Sequence, residues 1–192
     1  YRVSQTPKRK ITAVTIAQIY IRGRYLLALM TESDSPDASI EDYLPATAST
    51  GRLEFFVRSL APATGNTKQT DCFDRLRRLA ETDQLSDVAV RVWGDGICTH
   101  APEMAGISEM LEAVTDIYSF SADAEAAITP FFKVRRVDSS VTGESFERIT
   151  PPERTLLAYE GDSLVGVFPC LLGEETYTPV DAIERLEADT EV

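Results

Sequence analysis

The side chains best suited to chemistry in this 192-residue chain fall into two groups. One is Cys98-Thr99-His100, which holds the only histidine. The other is a set of basic residues, Arg75, Arg77, Arg78, Lys133, Arg135 and Arg136, in an otherwise acidic sequence. By residue type the first group is half of a zinc site, with Cys72 or Cys170 to complete it. Structural zinc is held by ligands paired at CxxC or HxxxH spacing, and the chain has neither, so the pattern predicts no metal and no cofactor. Gly143-Glu144-Ser145-Phe146-Glu147 opens like a nucleophile elbow but lacks the closing glycine, and it lies where a hairpin turn is expected. Gly94-Asp95-Gly96 follows a strand as a phosphate loop does. It lacks the remaining glycines, however, and Asp95 would repel phosphate. Pairs such as Glu144 and Glu147 arise by chance in so acidic a chain. No catalytic constellation is assembled, which predicts a non-enzymatic protein; an enzyme with a site near Cys98 and His100 is the catalytic alternative.

The basic residues have two readings. As a cluster on a helix and a strand they are candidate anion or nucleic-acid contacts. Alternatively they pair with the many acids. Composition favours pairing, because specific DNA binding would still need contacts to base edges.

The formal charge is −12, and it is unevenly distributed. Residues 1–30 hold no acid and carry Arg2, Lys8, Arg9, Lys10, Arg22 and Arg24, so the acidic excess of the remainder is larger still. Beyond residue 30 the only lysines are Lys68 and Lys133. Acid-rich, lysine-poor surfaces suit a cytoplasm of molar salt, where the Debye length falls to about 3 Å and carboxylates hold water and cations. Three widely spaced cysteines, without a secretory signal, predict reduced thiols in a cytoplasm.

Residues 11–30 are apolar but interrupted by Arg22 and Arg24, which leaves too short a clean run for a membrane span. The chain starts at Tyr1, its first methionine is Met30, and composition flips there. Residues 1–29 are therefore expected to precede a native start at Met30, with no membrane contact in that case. Residues 30–50 are expected to be a disordered acidic leader, 51–170 a single domain, and 171–192 an acidic tail with a short helix around Val180, Ile183 and Leu186.

Within the domain, residues 53–60 read as a strand. Phe73, Leu76, Leu79 and Ala80 recur at helical spacing, and Val88-Ala89-Val90-Arg91-Val92-Trp93 reads as a central strand. Ile107, Met110, Leu111, Val114, Ile117 and Tyr118 line a second helix, and residues 131–137 form the next strand. Thereafter the pattern changes to hairpins, one of them turning at Glu160-Gly161-Asp162-Ser163. The expected fold is α/β: a mixed sheet with a parallel β-α-β-α-β part followed by antiparallel hairpins, with helices covering one face. An uncovered face would favour a homodimer or protein partner. Ligands of open α/β sheets bind beyond the strand ends, here the loop with Gly94, Asp95, Gly96 and His100, together with 61–66.

Val57-Arg58-Ser59-Leu60-Ala61-Pro62, Val90-Arg91-Val92-Trp93-Gly94, Pro130-Phe131-Phe132, Thr142-Gly143-Glu144 and Val167-Phe168-Pro169-Cys170 resemble the markers of an uncharacterised haloarchaeal family commonly labelled "HTH domain protein". The resemblance spans roughly residues 51–170. It implies a haloarchaeal, cytoplasmic origin and a transcription-related role, and carries over no catalytic or DNA-contacting residue. A helix-turn-helix needs two helices joined by a short turn, whereas the two clear helices here are separated by a strand and a long loop. The sequence thus predicts a non-enzymatic regulatory or interaction domain, with a DNA-binding regulator as the alternative.

Overall fold

Strand β1 (Arg52–Val57) is the centre of the main sheet, since every residue from Leu53 to Val57 is buried. The computed structural model describes residues 39–44, 51–60, 67–82, 85–99, 106–124, 126–138, 140 and 143–190. In it β1 pairs in parallel with β2 (Asp87–Val92) and antiparallel with β6 (Arg154–Glu160). β6 in turn pairs with β7 (Ser163–Phe168), giving the order β2-β1-β6-β7. The crossover from β1 to β2 is helix α2 (Thr67–Ala80), which buries Cys72, Leu76 and Leu79 and turns Phe73 edge-on to Phe55 at 5.5 Å.

The mixed α/β class read from the sequence is the observed one, and so is the β6–β7 hairpin, which turns through Gly161 at φ +58°. Three particulars differ. The run 88–93 is not central: β2 hydrogen-bonds only to β1 among the described strands, and Val90 (46%) and Val92 (37%) are exposed. An apolar run records β propensity, not the number of neighbouring strands.

The second crossover does not return to this sheet. Helix α3 (Ile107–Asp123) leads to β4 (Lys133–Asp138), which pairs antiparallel with β5 (Ser145–Thr150). Together with the short β3 (Ile97–Cys98) they form a separate sheet, β3-β5-β4. The second edge of β1 is already taken by β6, and β4 finds its partner in the neighbouring hairpin arm.

The helices also divide between the faces. Phe55 points to α2, whereas adjacent Phe56 must point the other way. It stacks on Trp93 at 4.5 Å; Trp93 meets Phe132, which in turn meets Tyr118 of α3.

The chain closes with the hairpin β8 (Cys170–Leu172)/β9 (Glu175–Tyr177) and helix α4 (Pro179–Thr190). α4 buries Ala182, Ile183 and Leu186 in the common core and packs beside α2. Within the stretch expected to be a solvated leader, Ile40–Tyr43 form a short helix, α1. The Tyr43 hydroxyl donates to the Val167 carbonyl and accepts from the Val167 N–H, both at 3.2 Å, and Leu44 is buried. Tyr43 is held well above its ordinary pKa, first by burial, so it stays a neutral phenol able to make both bonds. The segment 1–29, the loop 61–66 and His100 lie outside the described residues.

Candidate functional site

The six basic residues singled out in the sequence separate into two kinds. Arg75 on α2 reaches across to α4, where it donates from Nε to both Glu187 oxygens (3.2 and 3.1 Å) and from Nη1 to Glu184 (3.1 Å). Asp71 stands 4.0 Å away one turn earlier, and Arg78 is 3.8 Å from Glu187. Hydrogen bonding to Glu187 raises the Arg75 pKa above its usual value. Arg75 and Arg78 therefore clamp α2 to α4, while Arg77 is exposed.

The strand residues have a different setting. In the β4–β5 register, Arg135 faces Arg148, Lys133 faces Thr150 and Val137 faces Phe146. Directly opposed residues of an antiparallel pair share a face. Lys133, Arg135 and Arg148 therefore project together, and all three are exposed. Among the described residues, no carboxylate lies within ion-pair reach of these three, whereas Arg136, on the opposite face, pairs with Asp138 at 3.5 Å. Like charges directly opposite one another weaken a ladder, so the Arg135–Arg148 pairing is a local cost.

The loop with Gly94, Asp95 and Gly96 braces this ribbon. Gly94 adopts φ +69°, which favours glycine, and turns β2 towards β3. Gly96 lies flat against the Arg148 guanidinium, where a Cβ would collide with it. The Arg148 Nη2 donates to the Asp95 carbonyl at 3.5 Å, and the Asp95 carboxylate pairs with Arg58 at 3.6 Å. The loop thus positions a basic side chain.

Arg148 was not among the sequence candidates. The signal that could have found it is the hairpin turn before Ser145, whose register brings Arg148 opposite Arg135.

Cys72 and Cys170 are buried in α2 and β8, and burial raises both thiols, Cys170 to about 12. Ser145 hydrogen-bonds Asp138 at the turn end of the β4–β5 hairpin, not on a strand-to-helix turn. Among the described residues, no three of His, Cys, Asp and Glu converge at metal-binding distance.

A second feature lies on the opposite side of the main sheet from α2. Between α3 and the β2-β1-β6 surface is a cleft of about 500 Å³, floored by Glu54, Phe56 and Tyr159 and walled by Glu109, Glu112 and Asp116. Buried Glu54 is neutralised by Arg52 and by Arg91, whose Nε stands 3.3 Å from it. Desolvation, then Glu112 one turn before it, raises the Asp116 pKa. A carboxyl raised on folding contributes stability below its unfolded pKa and loses that contribution as pH rises through the folded value. Asp116→Asn should therefore stabilise the protein at neutral pH by about 0.2–0.5 kcal/mol, the size of a surface like-charge pair. Urea unfolding at neutral and acid pH should show that gain vanish below about pH 4.

A family model described as a helix-turn-helix domain matches residues 45–191. No curated protein and no solved structure matches the chain. Within the matched span, α2 and α3 are each followed by a strand and α4 is the last described element, so no two described helices are joined by a short turn.

Proposed function

Because the chain belongs to the helix-turn-helix domain family, we propose that it is a non-enzymatic, DNA-binding regulatory domain that contacts DNA through the β4–β5 ribbon. The observation carrying this reading is the exposed trio Lys133, Arg135 and Arg148, left without acidic partners among the described residues in a chain of net charge −12. β-Ribbons and small β-sheets can lay strands in DNA grooves, and arginine is the side chain that most often reads guanine in the major groove. Family membership and the acid-rich, lysine-poor composition support work in a cytoplasm at high salt. No described helix is long and apolar enough to cross a membrane. At molar salt the counterion-release contribution is largely spent, which leaves base contacts to supply affinity. The test is fluorescence anisotropy of labelled genomic duplexes titrated with the full chain over a KCl series. Saturable binding that retains a sequence preference at high salt supports the reading, and absence of binding at every salt overturns it.

A second copy is the partner that edge strand β2 fits. Antiparallel self-pairing about Ala89 sets Asp87 opposite Arg91 and Val88 opposite Val90, so charge and apolar character both match across a two-fold axis. Light scattering should give a dimer mass for the full chain and a monomer mass for Val90→Lys. A monomeric parent protein would remove dimerisation from the proposal.

A further inference from the structure

We infer that the cleft between α3 and the main sheet is a binding site for a small organic cation with an apolar body. Its acids lie in one stripe on α3, Glu109, Glu112 and Asp116, at spacings of three and four residues that bring them to one helix face. Glu109 reaches Arg91 at 3.9 Å, and Glu54 is already matched by two guanidiniums. Glu112 and Asp116 have no cationic partner among the described residues, so the cleft carries uncompensated negative charge where like charges already repel.

An independent observation comes from the floor. Tyr159 is only 7% exposed and lines the cleft, and among the described residues its hydroxyl has no hydrogen-bond partner. Register places it on the same sheet face as Glu54, and Arg52 covers its ring at 4.0 Å. Its electrostatic neighbours, Glu54, Asp116 and Arg91, all line the same space. Burial followed by Glu54 pushes its pKa up to about 12, so it remains a phenol whose oxygen can accept from an ammonium group. A hydroxyl that reaches a cleft can gain a hydrogen-bond partner from a ligand there.

The remaining lining supplies the body's complement. Phe56 on the floor, with Met110 and Ala113 beside the carboxylates on α3, gives apolar lining, and the volume is that of a small-molecule site. The charge is spread along a helix face instead of converging on a point, which suits an amine on a hydrocarbon frame. This inference does not rest on DNA binding, because the cleft and the ribbon share no residue.

Calorimetric titration of the full chain with phenethylamine, phenethyl alcohol and phenylacetate at one KCl concentration tests it. The amine should bind saturably at one per chain, the alcohol about tenfold more weakly, and phenylacetate not at all. Glu112→Gln/Asp116→Asn should weaken the amine about tenfold without lowering the melting temperature, and Tyr159→Phe should weaken it severalfold. The melting curve separates loss of the site from loss of the fold, and Asp116→Asn alone serves if the double variant unfolds. No saturable amine binding, equal affinity for amine and alcohol, or an unchanged affinity in the folded acid variants would overturn the inference.

Discussion

Phe132→Ala should lower the free energy of unfolding by about 3–5 kcal/mol, the cost of emptying a large aromatic site that cannot collapse. Phe132 is 1% exposed and lies edge-on to Trp93 at 5.7 Å and to Tyr118 at 6.3 Å; Trp93 in turn stacks on Phe56. The cluster therefore joins β1, the end of β2, α3 and the start of β4. Removing Phe132 leaves Trp93 and Tyr118 without their shared partner. The ribbon should loosen with the core, since Lys133 follows Phe132 directly. Equilibrium denaturation measures the loss, with Arg135→Gln as the surface comparison, expected to stay within about 0.5 kcal/mol. A Phe132→Ala change below about 1 kcal/mol would mean that this cluster does not tie the elements together.

The second large effect concerns DNA. Lys133→Gln, Arg135→Gln and Arg148→Gln combined should reduce affinity for a duplex by two to three orders of magnitude at about 0.1 M KCl, the counterion-release contribution of about three phosphate contacts. The fold should survive. All three side chains are exposed, and removing the facing Arg135 and Arg148 charges relieves a repulsion across the ladder. Arg77→Gln, on the far helix, should leave binding unchanged.

What sequence alone conveys depends on the range of the interaction. The spacing of Leu76 and Leu79, and of Leu111, Val114, Ile117 and Tyr118, marks the buried helix faces, because helix periodicity is local. Glycine at 161 marks the β6–β7 turn for the same reason. Strand order is not local: nothing within 88–93 reveals that β6, about 65 residues further on, occupies the other edge of β1. The fate of the arginines follows the same rule. Arg75 is neutralised by Glu184 and Glu187, more than 100 residues away, whereas Arg135 and Arg148 meet through a hairpin. The cleft was not legible, since Glu54, Asp116 and Tyr159 come from three distant segments and share only a place in the fold.

The most direct measurement of the DNA-binding reading is the slope of log affinity against log KCl for the full chain and for the Lys133→Gln/Arg135→Gln/Arg148→Gln variant on one duplex. If the ribbon is the contact surface, the variant's slope should be shallower by about 2.7. Equal slopes, or a parent protein that binds no duplex at any salt, would contradict it.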